Sequence, residues 1–143
     1  MSASQVVLYV EDEPMIREVF AMELGDAGFE VVTAADGTSA LQALSSDISR
    51  FCALITDINL GAGPDGWEVA RRARELHRTL PVIYVTGAAA HEWQARGVPN
   101  SAILTKPCTP SQMVAAISSL VDAAEERLLD EPARNAYRPS RAD

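Results

Sequence analysis

Glu11, Asp12, Asp57, Thr86 and Lys106 are the residues of this chain whose types and placement could do chemistry together. Each stands at the end of a short apolar run: Glu11 and Asp12 follow Gln5 to Val10, Asp57 closes the run from Phe51, Thr86 closes the run from Pro81, and Lys106 follows Ser101 to Leu104. Taken singly, each has an ordinary explanation as a turn residue, a helix-start acid or a solvated charge. Taken together, they bring carboxylates, a hydroxyl and an ammonium to successive strand ends, and a shared site is the better reading. Glu11, Asp12 and Asp57 make a hard, all-oxygen donor set. That set suits Mg²⁺, which takes a few carboxylates and completes its shell with water or ligand phosphate oxygens. A cation there also makes the acidic crowding tolerable.

The elements that must position these residues are legible from hydrophobic period and turn chemistry. Gln5 to Val10, Phe51 to Thr56 and Pro81 to Thr86 are continuous apolar runs rich in β-branched residues, as expected of strands buried on both faces. Phe29 to Ala34 and Ser101 to Leu104 are shorter strands. Between them, apolar residues recur at helical spacing. Ile16, Val19, Phe20 and Leu24 form the first stripe, Ala40, Leu41, Leu44 and Ile48 the second, and Trp67, Val69, Ala70, Ala73 and Leu76 the third. Arg71, Arg72, Arg74 and Glu75 are available for the wet face of that third helix, and Trp67 reads as a packing residue. Ala88 to Arg96 can make only a short fourth helix, because Gly97, Pro99 and Asn100 break it. His91 lies there without a ligand-spaced partner and is expected at the surface. Thr109-Pro110-Ser111-Gln112 is a capping box that opens a fifth helix through Val121 and Ala124. Five strands alternating with five helices imply right-handed crossovers and a parallel sheet covered on both faces. In such sheets ligands bind at the carboxyl edge of the strands.

Bulk properties narrow the function further. The 143 residues fit one domain with a tail, and a formal charge of −8 argues against a direct DNA partner, since phosphate binding relies on an excess of Lys and Arg. Cys52 and Cys108 lack the spacing of a disulfide framework or a zinc site and are expected to be reduced thiols. There is no signal-peptide pattern and no apolar run near the ~20 residues a membrane span requires. A cytoplasmic protein without a membrane partner is expected.

The order and spacing of Glu11-Asp12, Asp57, Thr86 and Lys106-Pro107 resemble the receiver domain of two-component response regulators, across roughly residues 5 to 124. The resemblance implies a CheY-like, flavodoxin-like α/β fold: a (βα)5 doubly wound five-stranded parallel sheet in the order 2-1-3-4-5. It implies that Asp57 is the phosphoacceptor, loaded from a phosphohistidine of a histidine kinase or histidine phosphotransfer protein. Mg²⁺ would be held by Asp12, Asp57 and the backbone carbonyl of Asn59, with Glu11 acting through water. Thr86 and Lys106 would bind the new phosphoryl oxygens and shift a face built from helix 4, strand 5 and helix 5, switching a downstream protein target. The chemistry is consistent, because phosphoryl transfer asks for charge neutralisation and positioning more than for acid or base catalysis.

The same resemblance sets further expectations. The receiver domain would span residues 1–128 and a flexible tail residues 129–143, in a stand-alone switch rather than an enzyme, with a homodimer open. Ile103 stands where many family members have a switching Tyr or Phe. Tyr84-Val85-Thr86-Gly87 resembles the Phe-Ala-Thr-Gly stretch of alphaproteobacterial receivers that also lack that aromatic. A degenerate receiver acting as a constitutive interaction module is the alternative, opposed by the intact Asp57, Thr86 and Lys106. A Mg²⁺-dependent phosphohydrolase of related fold would have a second Asp where this chain has Asn59.

Overall fold

The computed structural model describes residues 5–136, with side chains through residue 126. Strands and helices alternate along the chain: β1 (Val6–Val10), α1 (Pro14–Asp26), β2 (Glu30–Ala34), α2 (Gly37–Ser46), β3 (Phe51–Asp57), α3 (Gly66–Leu76), β4 (Val82–Thr86), α4 (Trp93–Arg96), β5 (Ala102–Thr105) and α5 (Pro110–Ala136). Single 3₁₀ turns precede β3 and α4. Every neighbouring pair of strands is parallel, in the order β2-β1-β3-β4-β5, as expected from the sequence.

The unbroken apolar runs are explained by two cores, one on each face of the sheet. Val7, Tyr9, Ile55, Ile83 and Val85 meet Leu24 of α1 and Met113, Ile117 and Val121 of α5. The residues between them, Leu8, Val10, Leu54, Val82 and Tyr84, point the other way onto Ala40 and Leu44 of α2 and Trp67, Val69 and Ala73 of α3. A strand with a core on both sides has little room for a polar residue until it ends; Thr56, next to last in β3, is fully buried and satisfies its hydroxyl on the Asp57 carbonyl at 2.8 Å. Chemistry is thereby confined to the strand ends.

Helix starts follow the local signals. Pro14 opens α1, where its missing N–H costs nothing. Asp36 and Asp65 cap α2 and α3 by accepting from Ser39 N at 2.8 Å and Glu68 N at 3.0 Å. The capping box of α5 is reciprocal: Thr109 N donates to Gln112 Oε1 at 2.8 Å, and Gln112 N to Thr109 Oγ1 at 3.1 Å.

Three expectations need correction. Val19 and Leu76 sit on apolar stripes in the sequence but are 47% and 49% exposed: Leu24 is the one fully buried residue of α1, and the buried face of α3 ends at Ala73. Arg74 leaves the wet face of α3. It donates to Leu80 O at 2.7 Å and Pro99 O at 2.5 Å, clasping the loops that lead into β4 and β5. Helix α5 continues past residue 128 to Ala136, so the backbone of 129–136 is helical where a tail is expected; the run from Ala123 to Leu129 is made of good helix formers. The rest of the expected tail, 137–143, lies outside the described residues. No helix among the described residues is long and apolar enough to cross a membrane.

The turn from β3 into α3 is tight. Gly66 N donates to Ile58 O at 2.8 Å, and a Cβ on Gly66 would collide with the carbonyl oxygen of Asp57. Gly66→Ala is therefore expected to cost about 1–3 kcal/mol through forced backbone displacement. Thermal denaturation should show Tm falling by several degrees, and an unchanged Tm would mean that α3 can shift freely at its first residue.

Candidate functional site

β1 and β3 lie side by side, with Val10 opposite Thr56, so their next residues emerge together at the carboxyl edge. That register delivers Glu11 and Asp12 beside Asp57. Carboxylate oxygens of the three residues all lie within 4.8 Å of one another. Glu11 and Asp57 are almost fully buried, and Asp12 is exposed.

Each buried carboxylate is held in place. Asp57 Oδ1 accepts from Ile58 N at 2.8 Å, and Glu11 Oε2 accepts from Glu13 N at 3.1 Å. Arg17, one turn into α1, donates to the Glu11 carbonyl at 2.8 Å and ties the helix to the end of β1. Lys106 arrives from beyond β5, its backbone N–H donating to Thr86 O at 2.9 Å. Its Nζ donates to Asp57 Oδ2 at 2.8 Å and lies 3.8 Å from Glu11 Oε1. A cis peptide bond joins Lys106 to Pro107.

The electrostatics follow from that crowding. Burial pushes the Glu11 carboxyl up to about 7; the Glu13 N–H works against this, the charge of Asp57 adds to it, and Lys106 opposes it. Burial disfavours the Lys106 charge, but the hydrogen bond to Asp57 and the charges of Asp57, Glu11 and Asp12 outweigh it, and its pKa lies above the ordinary lysine value. Both cysteines are free thiols, and burial raises the pKa of each. Neither has thiolate character.

Of the expected site residues, Glu11, Asp12, Asp57 and Lys106 converge. Thr86 is at the same edge and buried, but its Oγ1 accepts from Ala88 N at 3.3 Å and Ala89 N at 3.0 Å, so the hydroxyl oxygen serves its own loop. Asn59 is exposed at the start of the β3–α3 loop. His91 is exposed, as expected. The Ile58 N–H and Arg17 are additional positioning groups that residue pattern does not single out: one is a backbone amide, the other a charge on an apparently ordinary helix. An all-carboxylate donor set at this spacing, with a buried Glu11 whose negative charge lacks full compensation, fits a hard divalent cation.

The response regulator receiver domain family matches residues 7–118. The fold is similar to that of a response regulator receiver protein from Sinorhizobium medicae, with a TM-score of 0.80 and 40% identity over 84% of this chain and 96% of that one. It is also similar to the chemotaxis protein CheY4 of Vibrio cholerae, with a TM-score of 0.72 and 30% identity over 82% of this chain and 99% of that one. Among curated proteins, the sensor histidine kinase RcsC of Escherichia coli is 36% identical over 106 residues, which are 73% of this chain but 11% of the kinase. The transcriptional regulatory protein TcrA of Mycobacterium tuberculosis is 34% identical over 116 residues, 80% of this chain and 45% of that protein. The chain thus spans less than half the length of these two curated relatives.

The raised Glu11 pKa has a consequence for stability. A carboxyl whose folded pKa of about 7 exceeds its unfolded value of 4.5 favours the fold fully below pH 4.5, and that contribution is lost as pH rises through 7. Glu11→Gln, neutral at every pH, should therefore match the wild type near pH 5 and exceed it in Tm at pH 8 in the absence of divalent metal. Melting curves across that range would contradict the assignment if the two proteins stayed parallel.

Proposed function

The chain belongs to the response regulator receiver domain family, and from that premise we propose that it is a phosphoacceptor switch loaded on Asp57 by a phosphohistidine of a histidine kinase or phosphotransfer protein. One observation carries the reading: Asp57 is a buried carboxylate with one oxygen held by Ile58 N–H and the other by Lys106 Nζ, beside two further carboxylates. In the transfer, an Asp57 oxygen attacks phosphorus, and the O–P bond forms as the P–N bond to the donor imidazole breaks. The leaving imidazole takes up a proton. The product is an acyl phosphate, labile to water.

Asp12, Asp57 and the backbone carbonyl of Asn59 would hold Mg²⁺, with Glu11 contributing through water. Bound there, the cation would neutralise charge on the phosphoryl oxygens. Lys106 turns from Asp57 Oδ2 to a phosphoryl oxygen, keeping its charge next to the developing negative charge. The Thr86 hydroxyl donates to another, at the expense of its bonds to Ala88 and Ala89. New charge with hydrogen-bonding oxygens thereby biases the loop after β4 and the face formed by α4, β5 and α5. With Ile103 at the position of the usual aromatic, the loop and α4 carry the change; the nearby aromatic is Tyr84, whose hydroxyl accepts from Val98 N at 3.0 Å and whose ring packs on Trp67.

The output on this reading is a cytoplasmic protein partner rather than DNA, in keeping with the charge of −8. Near-complete coverage of the Sinorhizobium medicae receiver protein supports a single-domain regulator. The RcsC match favours a second reading, a receiver within a longer sensor kinase chain, with the same Asp57 chemistry.

With Mg²⁺ and acetyl phosphate, intact-mass spectrometry should show one labile phosphoryl group that is absent from Asp57→Asn; an adduct that survives in that variant would refute the nucleophile. Asp12→Ala should lose most Mg²⁺ affinity by titration calorimetry, and retained affinity would remove the metal assignment. Lys106→Ala should keep some phosphorylation while losing the beryllofluoride-dependent change in amide NMR shifts of the loop after β4, and a full set of those shifts would exclude Lys106 as the coupling group.

A further inference from the structure

A cavity of about 370 Å³ lies between α1, α5 and the ends of β1 and β4. Its walls are mainly apolar and include Ile16, Phe20, Val85 and Met113. Tyr9 lines it as well. That residue is 2% exposed and packs its ring toward Phe20 at a centroid distance of 6.4 Å; its hydroxyl bonds to no protein group among the described residues and is open to the cavity rather than sealed in the core. A phenol hydroxyl open to a mainly apolar cavity is available to an occupant, and cavities of this size with a few convergent polar groups are the usual form of small-ligand sites.

We infer that this cavity binds a small, neutral, aromatic molecule that carries one hydrogen-bond acceptor for the Tyr9 hydroxyl. Size sets the first limit: an apolar cavity of about 150 Å³ holds benzene, so this one admits a substituted or two-ring compound. Neutrality follows from the mainly apolar walls and from the engagement of the two charged lining residues at the Asp57 site, where Lys106 Nζ bonds Asp57 Oδ2 at 2.8 Å and Glu11 Oε2 accepts from Glu13 N at 3.1 Å. Aromatic character follows from the rings of Tyr9 and Phe20 and the thioether of Met113, surfaces that favour a π-system. The acceptor follows from the phenol, which has an O–H to donate. An occupant would lie against Lys106, so the cavity adjoins the Asp57 site while being chemically different from it.

Acetophenone, which carries a carbonyl acceptor, and ethylbenzene, its counterpart without one, separate the elements of this inference when titrated into the ¹⁵N-labelled full chain by NMR. Both should shift amides of the lining residues saturably, with acetophenone about 2- to 10-fold tighter. Tyr9→Phe should erase that preference while leaving ethylbenzene binding unchanged. Ile16→Phe, a substitution at a half-exposed position that tolerates added volume, should weaken both probes. The inference is overturned by shifts that fail to saturate or fall elsewhere on the protein, by an ordered water that neither probe displaces, or by an acetophenone preference that survives in Tyr9→Phe. The readout is binding alone, so the result is independent of whether Asp57 accepts a phosphoryl group.

Discussion

A single ammonium group stands against three carboxylates at the rim of this sheet, and the rest of the molecule is arranged so that it can. Lys106 contacts Asp57 and faces Glu11, two groups almost withdrawn from water, where an uncompensated negative charge is costly. The carboxylates come from β1 and β3, and the ammonium from beyond β5, two strands away. Only a parallel sheet brings all of these ends to one edge, and only right-handed helical crossovers return the chain to start each strand at the far side. The two cores are in this sense the frame that forces like charges together, and Lys106 makes the resulting arrangement tolerable.

Much of this was legible in the sequence because strand ends are a local signal. A run buried on both faces permits few polar residues before it stops, so the one that follows Val10, Thr56 or Val85 marks the edge without knowledge of the fold. Capping residues were legible for the same reason: Thr109 and Gln112 satisfy each other within one turn. What was not legible depends on distant partners. Nothing near Arg74 predicts that its guanidinium reaches loops some 25 residues away, as it does to Pro99. Val19 and Leu76 follow the helical period, but whether a periodic position is covered depends on where the neighbouring helices end. The Thr86 hydroxyl oxygen also accepts from Ala88 N and Ala89 N of its own loop, a pair of bonds that residue type does not reveal.

The α4 region shows how a weak element is kept in place. Four residues are far too few for a helix to persist by itself. Side-chain pins hold it: Trp93 Nε1 donates to Ser101 Oγ at 3.0 Å, and Arg96 stacks over Trp67 at 5.6 Å while pairing with Glu92 at 3.0 Å and Asp65 at 3.8 Å. Asp65 in turn caps α3, the helix that follows the Asp57 loop. The segment that replaces a long fourth helix is thus tethered both to the end of the loop after β3, through Asp65, and to the start of β5, through Ser101.

The oxygen of Thr86 carries one last consequence. A hydroxyl has two lone pairs and a single proton, and here two amides of the following loop draw on the lone pairs while the proton has no assigned acceptor. An anion lying along that proton's arc could be met by rotating the O–H alone; one lying elsewhere must swing the whole side chain and strand both amides. The position of such an anion would therefore decide whether the loop could stay in place as a passive lid or would have to release both amides like a sprung latch.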